Sequence, residues 1–363
     1  MNNLPRVQKK TKNNKLNGFS LHAIELAGRK VRDYEDTFVT AKDIERAKPS
    51  WDRMSTEKRE SYKERARRYN VKVTSHQVRY NSLGQSVTEV DNQKNQIEEE
   101  RNRRRNEIEQ LLRDAADLRE LDTKVFYFMS ASHFYEDCNV ILPAEIAFAK
   151  FSLKEGIMDT LHVEINPGEL PIGSAYKAQS LADSTHRYPL PPECFGESNY
   201  LKILSKIMEF LPEDEELPIF FTEGIDDMQS ESKIHKDNRR ALKYVFEAAQ
   251  EYDVASDMKI YSILELFHFL QEITTKLRNE QDPDSYCKPF RNLTAAHTAF
   301  KQTEAEFLYK SESCVYHEGN DSISFCCLNK CIRFGYIISK WCAAGFKYKL
   351  KPGCHFPKNH LSM

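Results

Sequence analysis

The hydrophobic and polar positions of this chain follow helical spacing in one region and strand-like spacing in another. Between residues 16 and 66 the apolar positions recur three or four residues apart, which predicts helices; they are Phe19, Leu21, Ala23, Ile24, Leu26, Ile44, Ala47, Trp51, Met54, Tyr62 and Ala66. Gly28 follows the first run, and Ser55 is suited to cap the last. We therefore predict three short helices around a core of Phe19, Trp51 and Tyr62.

Residues 87–121 contain no aromatic side chain and carry a dense run of charges between Glu98 and Arg105. One weak apolar stripe runs through them, formed by Ile97, Ile108, Leu111, Leu112 and Leu118. The pattern predicts a charged helical linker. A solvated spacer is the simplest interpretation, and docking of the stripe on the following domain or partial coiled-coil pairing remains open.

The second half of the chain begins with segments rich in β-branched and aromatic residues, at 124–129, 140–151 and 156–165, with a turn signal at Asn166-Pro167-Gly168. Another strand is predicted at 217–222, and helices at 201–210, 239–250, 260–277 and 324–346. This order predicts an α+β or α/β fold with a mixed sheet and flanking helices. The predicted organisation is an arm (1–15), a helical domain (16–70), a linker (71–121), a sheet domain (122–346) and a tail (347–363).

The 53 basic and 55 acidic residues nearly cancel, but they are unevenly distributed. Residues 1–80 hold 20 Lys and Arg against 10 Asp and Glu, so the remainder holds 33 against 45. A basic module of this kind is typical of nucleic-acid binding. Four lysines of the arm, Lys9, Lys10, Lys12 and Lys15, fit either a nuclear address or a solvated basic arm.

All nine cysteines lie at or after Cys138. We find no signal-peptide pattern and no apolar run long enough for a membrane span, so we expect reduced thiols and a cytosolic or nuclear compartment. The chain also lacks a P-loop, a G-x-G-x-x-G motif and an H-E-x-x-H motif, which removes the commonest nucleotide-binding and metalloprotease classes.

The sharpest chemical signal is Cys314-Val-Tyr-His317, followed nine residues later by Cys326. Two thiolates and an imidazole are typical zinc ligands, but a closed structural site needs four. A distant residue must supply the fourth ligand. The adjacent Cys327 is an alternative to Cys326.

Two resemblances join these observations. Residues 16–68 resemble an HMG box through Asn17-Gly-Phe19, Trp51, Glu57-Lys58, Tyr62 and Ala66. Residues 122–346 resemble the Maelstrom domain through Pro143-Ala-Glu145-Ile, residues 151–158, His162, Ile165-Asn-Pro-Gly168, Pro171-Ile-Gly173 and the segment from Cys314 to Cys326. On this pairing and order the chain is identified as a member of the Maelstrom family, of insect type.

The resemblance implies an RNase H-like fold for residues 122–346. It also implies a role in piRNA-guided transposon silencing during germline gametogenesis and meiosis, together with proteins of that machinery. The implied location is the nucleus and the perinuclear germ granule, the nuage. It assigns the fourth zinc ligand to Glu145 and prefers Cys326 to Cys327, so the implied site is Glu145, Cys314, His317 and Cys326. Four protein ligands leave no position for a reacting water, so we expect the zinc to be structural.

Nucleases of this fold hold two metal ions with a D-x-E pair on the first strand, and residues 125–129 contain no acid. We therefore expect an adaptor and not an enzyme, with a single-strand ribonuclease as the alternative, using His162 or His186. Glu223, Asp226 and Asp227 are either remnants of the acidic site or solvated loop acids. Single-stranded RNA contact by this domain, for example through Arg239, Arg240 and Lys243, is a further expectation.

The nucleic-acid-binding residues we predict in the box are Asn17, Phe19 and Ser20, with the arm lysines. Ser20 occupies the position where an HMG box inserts an apolar wedge between bases. Because serine is small and polar, we expect binding to structured RNA or already bent DNA, and not strong bending of one DNA sequence. A chromatin factor acting on DNA is the second alternative.

Overall fold

The computed structural model describes residues 16–29, 39–76, 86–138, 140–212, 216–224, 232–343, 346 and 349–358. The predicted arm, with Lys9, Lys10, Lys12 and Lys15, lies outside the described residues, as do Asp226 and Asp227. The chain divides into two compact units, Met1–Asn95 and Gln96–Met363. Each unit is described by itself.

The first unit contains three helices, α1 (Gly18–Leu26), α2 (Ala41–Asp52) and α3 (Thr56–His76). Asn17 caps α1, because its side chain accepts a hydrogen bond from the Ser20 amide at 2.8 Å. Thr40 and Asp43 form a capping box at the start of α2. The fully buried apolar side chains that pack together here are Leu16, Leu21, Ile24 and Ala66.

The described aromatic side chains of the first unit lie beside that core and are only half-buried. The ring centroids of Phe19 and Trp51 are 5.6 Å apart, and those of Trp51 and Tyr62 are 6.1 Å apart. His22 is buried between them, and its Nε2 lies 2.8 Å from the hydroxyl of Ser50. The sequence pattern did not single out this histidine.

Helix α4 (Val87–Asp117) has the length and charge expected of the linker. Within the second unit, however, its C-terminal part is docked, because Ile108 and Leu112 are fully buried in the apolar core. Arg101 and Arg105 of the same helix lie 3.9 and 3.8 Å from the carboxylate of the buried Glu265. The weak apolar stripe in the sequence is therefore a packing face over this part of α4.

The second unit contains a mixed sheet, as the sequence predicted. Three antiparallel strands come first, β1 (Phe126–Glu136), β2 (Ile141–Ser152) and β3 (Gly156–Glu164). Two short strands follow, β4 (Phe220–Thr222) and β5 (Ile260–Ser262), and they run parallel to β1. The strand order is β3-β2-β1-β4-β5.

Both faces of the sheet are covered, so β2 is apolar at almost every position. The second unit holds helices α5 (Ala175–Ser184), α6 (Tyr200–Phe210), α7 (Lys233–Ala248), α8 (Tyr252–Asp257), α9 (Ile263–Gln281), α10 (Leu293–Phe307), α11 (Val315–Gly319) and α12 (Cys327–Cys342). Ala147 and Phe151 of β2 pack with α9, α10 and α12 on one face. Ile146 and Phe148 pack with α6 and α7 on the other.

Two expectations about element boundaries were wrong. Residues 260–262 form strand β5 and not the start of a helix, which begins at Ile263. Strand β1 runs to Glu136, well beyond Met129, so its last residue is an acid. Glu136 forms ion pairs with Lys233 at 2.8 Å and Arg240 at 3.3 Å.

Residues 351–358 after α12 contact the rest of the second unit. His355 is buried, and its Nε2 lies 3.2 Å from the carbonyl oxygen of Leu153. The amide of Ile157 donates to the carbonyl of Cys354 at 2.8 Å. These contacts fasten the segment to the turn between β2 and β3. Among the described residues, no helix has the length and apolar character needed to cross a bilayer.

Candidate metal centre

The Cys-x-x-His motif folds into one short helix that brings its two ends together. Cys314 caps the N-terminus of α11, and its sulfur accepts a hydrogen bond from the amide of His317 at 3.5 Å. The same turn places Cys314 Sγ 3.0 Å from His317 Nδ1. The sequence spacing is thus sufficient to bring these two ligand atoms together.

Cys326 joins this pair from the start of α12, where it caps the helix after the short 3-10 turn at 323–325. Its sulfur accepts a hydrogen bond from the Cys314 amide at 3.4 Å. The ligand atoms of Cys314, His317 and Cys326 all lie within 4.8 Å of one another, and all three residues are buried. Cys327 instead packs in the apolar core, so it is Cys326 that stands in the cluster.

Glu145 reaches the same region from the middle of β2. It is fully buried, on the side of the sheet that faces α12. Its Oε2 lies 2.7 Å from His162 Nε2, and it accepts a hydrogen bond at 3.4 Å from the Cys327 amide. The hydroxyl of Ser132 donates to Oε1 at 3.3 Å. Glu145 is therefore held from several sides at the edge of the cluster.

The hydroxyl of Tyr188 connects Glu145 to the Cys-His pair. It donates to Glu145 Oε2 at 3.3 Å and lies 3.8 Å from Cys314 Sγ and 3.5 Å from His317 Nδ1. Three of the four predicted ligands thus converge on one point. Tyr188 carried no recognisable signal in the sequence.

His317 is oriented by a backbone acceptor, because its Nε2 lies 2.8 Å from the carbonyl oxygen of His186. A carbonyl only accepts, so Nε2 carries a proton, and when the ring is neutral its lone pair is on Nδ1, the nitrogen beside Cys314. Metal-binding histidines usually donate their second ring nitrogen to a carbonyl or carboxylate in this way. The donor set and this orientation fit zinc.

The two thiols of the cluster share one proton. The hydrogen bond from Cys326, aided by His317, lowers the pKa of Cys314 to about 4, although burial opposes the shift. The same hydrogen bond, together with burial, raises the pKa of Cys326. Cys314 is therefore the thiolate of the pair, and a bound cation would favour loss of the second proton.

Glu145 and His162 stabilise each other's charged forms. Burial acts to raise the pKa of Glu145, but the hydrogen bond and charge of His162 outweigh it and the net pKa is lowered. Burial acts to lower the pKa of His162, but the hydrogen bond and charge of Glu145 outweigh it and the net pKa is raised. The two side chains form a buried ion pair.

Of the acids considered as nuclease remnants, Glu223 lies in the described part of the chain, and it is paired with cations. Glu223, just after β4, lies 3.0 Å from Lys301 Nζ and 3.9 Å from Lys330 Nζ. Two basic residues considered for RNA contact are also paired, Arg240 with Glu136 at 3.3 Å and Lys243 with Glu247 at 3.5 Å.

The predicted nucleic-acid residues of the first unit have different surroundings. The side chain of the exposed Asn17 is used to cap α1, whereas Ser20 and Phe19 are half-buried in the first turns of that helix. Phe19 contacts Trp51.

Comparison with known proteins places the second unit in context. The family model for Maelstrom, described as a piRNA pathway germ-plasm component, matches residues 137–362. The chain is 30% identical over 335 residues to a maelstrom homolog of Culex quinquefasciatus, an alignment that covers 89% of this chain and 61% of that protein. It is 26% identical to maelstrom 2 of Drosophila persimilis, covering 86% of this chain and 70% of that protein.

The chain thus spans about three fifths of the length of the mosquito relative. Among solved structures, it is similar to E. coli exonuclease I in complex with an oligonucleotide, with a TM-score of 0.27 and 9% identity over 52% of this chain and 44% of the exonuclease.

Proposed function

Since the chain belongs to the Maelstrom family, we propose that it acts in the piRNA pathway as a nucleic-acid-binding adaptor for transposon silencing in the germline. The observation that carries this proposal is the family match over residues 137–362, which includes the whole Cys314–His317–Cys326 cluster. The working location we propose is the nuage and the nucleus. Its partners would be RNA and the proteins of the silencing machinery.

The second unit would serve as an RNase H-like docking platform held together by structural zinc. Cys314, His317 and Cys326 would hold the ion, with Glu145 as the fourth ligand. When bound, zinc supplies a cross-link and neutralises the thiolates. Because Glu145 lies in β2 and the other three ligands lie around α11 and α12, the ion would connect the sheet to the helices that cover it.

The charge pairs of the second unit support an adaptor over a ribonuclease. Two-metal cleavage of RNA needs carboxylates that are free to bind cations. Glu136 at the end of β1 and Glu223 at the end of β4 are each within ion-pair distance of two basic side chains. Release of either carboxylate to a magnesium ion would leave those basic side chains without their partner.

The first unit would bind nucleic acid as an HMG box. Helix α3 of this unit carries basic side chains, among them Arg67 and Arg68, which are largely exposed. Since Ser20 lacks the apolar surface of a wedge, binding would go through phosphates and would prefer structured RNA or already bent DNA. Affinity would then fall steeply with salt and vary little with sequence.

The test uses the purified full chain with labelled single-stranded RNA, a structured RNA and a DNA four-way junction, at several salt concentrations. Cleavage is measured in parallel with magnesium, with manganese and with chelator. Salt-sensitive binding without cleavage is expected. RNA cleavage that needs added metal and disappears in a Glu223→Gln variant would instead establish the ribonuclease, and selective bending of one DNA sequence would establish the chromatin factor.

A further inference from the structure

A second group of metal-ligand side chains adjoins the proposed zinc centre and shares one residue with it. The group consists of His162, Glu164 and Cys314, and its ligand atoms lie within 4.8 Å of one another. His162 and Glu164 are two residues apart on β3, so both project toward the same face of the sheet. Register with β2 sets Glu164 opposite Glu145 and His162 opposite Ala147, which brings them to the cluster.

His162 is prepared for metal binding by its hydrogen bond to Glu145. With Nε2 donating to Glu145 Oε2 at 2.7 Å, the lone pair available on the neutral ring is at Nδ1. A histidine whose second nitrogen donates to a carboxylate is the usual arrangement around a protein-bound transition metal. Glu145 thus fixes the orientation of this histidine as the His186 carbonyl fixes that of His317.

The two groups differ in their access to solvent. His317 and Cys326 are fully buried. His162, Glu164 and Cys314 instead line an open cavity of about 690 Å³, together with Glu197, Lys206 and Ser313. An ion held by these three residues would therefore keep contact with water.

The local charge favours a cation in this cavity. The carboxylates of Glu145 and Glu164 and the sulfur of Cys314 lie around the imidazole of His162, and Lys206 and His317 are the other basic groups nearby. A divalent ion would relieve this accumulation of negative charge more completely than one proton on His162.

We propose that His162, Glu164 and Cys314 form an outer binding site for a divalent first-row transition-metal ion such as zinc, with the Cys314 thiolate shared with the inner centre. The proposal rests on the proposed function through Cys314, which both sites would share, and through Glu145, which orients His162. One imidazole, one carboxylate and one thiolate are suitable ligands for zinc or cobalt. Three protein ligands leave one position for water, unlike the closed inner centre.

The test is a cobalt(II) titration of the metal-free full chain, followed by absorption spectroscopy and native mass spectrometry. Two cobalt ions per chain are expected, the inner one with absorption from two thiolates. Glu164→Gln should weaken the outer ion at least about tenfold and leave the inner absorption intact. Glu197→Gln is the matched control, because Glu197 lines the same cavity but pairs with Lys202 at 3.8 Å, and it should bind two ions.

Three results separate this proposal from the zinc centre. Binding of one cobalt ion per chain by both the wild type and Glu164→Gln, with two-thiolate absorption, would overturn the outer site alone. If Cys326→Ser binds one ion fewer than the wild type, and binding of the remaining ion still depends on Glu164, the outer site would be supported. Circular dichroism and the second variant Glu164→Ala check that the loss of binding is not caused by unfolding; equal cobalt binding by Glu164→Ala and the wild type would also overturn the outer site.

Discussion

The second unit contains two sets of acids with low solvent exposure, and the cations beside them are of different kinds. Around the candidate metal centre, Glu145 is paired with His162 at 2.7 Å. At the ends of β1 and β4, Glu136 is paired with Lys233 and Arg240, and Glu223 with Lys301 and Lys330. The first group is paired with a residue that titrates near neutral pH, and the second with residues that remain charged.

This difference separates a site that can exchange its cation from one that cannot. Lysine and arginine keep their charge over the physiological range, so their partners are neutralised permanently. Histidine and cysteine can release protons to a metal ion. The comparison therefore favours the β2 and α12 end of the unit as the place where a metal ion would bind, and it leaves fixed ion pairs at the ends of β1 and β4.

The largest effect is expected from Cys326→Ser, which removes one thiolate of the proposed inner centre. If zinc binds there, loss of the ion should lower the free energy of unfolding by about 4 kcal/mol when free zinc exceeds its Kd a thousandfold. Urea unfolding with and without zinc measures this. Cys331→Ser is the matched control, because Cys331 is equally buried but lies in the apolar core; it should lose some stability and keep its zinc response. Equal zinc responses in both variants would contradict the assignment.

The next test uses pH, because the pKa values of two histidines, His133 on β1 and His162 on β3, are shifted in opposite directions. Burial lowers the pKa of His133 to about 4 from its usual 6.5. The unfolded chain therefore binds its proton first, and stability is lost as pH falls from 6.5 toward 4, by about 1.4 kcal/mol per pH unit. The stability contributed by His162, whose pKa is raised, is instead complete below 6.5 and is lost as pH rises through its folded pKa.

Metal-free samples of His133→Asn and His162→Asn, unfolded in urea from pH 4 to 8, measure both slopes. The difference between the wild type and His133→Asn should change only below pH 6.5, and that between the wild type and His162→Asn only above it. Slopes of the same sign in both variants would contradict the opposite pKa shifts of His133 and His162.

A smaller effect is expected when the same substitution, glutamate to glutamine, is made at Glu145 and at Glu223. Glu145→Gln should weaken zinc binding about 10- to 100-fold, because the centre loses its anionic oxygen. Glu223→Gln should leave zinc affinity unchanged and cost about 0.5 to 1 kcal/mol of stability, since Lys301 is half-exposed and its pair is screened by solvent. Competition with a zinc-binding dye gives the affinity. A similar loss of zinc affinity at both positions would remove the distinction.

The smallest expected effect is that of salt. Raising the ionic strength from 0.1 to 1 M shortens the Debye length from about 10 to 3 Å. The stability difference between the wild type and Glu223→Gln should then shrink by a few tenths of a kcal/mol. The difference caused by Cys326→Ser should persist, because coordination bonds are not screened. Denaturant midpoints at the two salt concentrations measure both differences.

Much of the fold could be predicted from the sequence where local pattern decides the structure. The hairpin strands β2 and β3 agree closely with the predicted segments, because turns and β-branched runs mark them. Strand β5 was missed because Ile260–Ser262 continues into α9 without a turn signal. Its three residues are a strand because they pair with β4, which is a long-range contact.

The same distinction between local pattern and long-range contact applies to the residues of the candidate site. Cys314 and His317 meet within one helical turn, so their spacing predicts their proximity. Glu145 came only from the family resemblance, because sheet register and helix packing bring it to the cluster. Tyr188 and Glu164 were not identified at all, since a lone tyrosine and a strand-end glutamate have no distinctive spacing.

The segment fastened at the β2–β3 turn also bears on when the cluster can form during synthesis of the chain. Glu145 leaves the ribosome first, and Cys326 follows 181 residues later. At about 5 to 20 residues per second, that delay is roughly 10 to 40 s. The hydrogen bonds of Cys354 and His355 to residues near the turn form later still. The cluster can therefore assemble only after the helix that follows its last thiol has been synthesised and has reached the sheet.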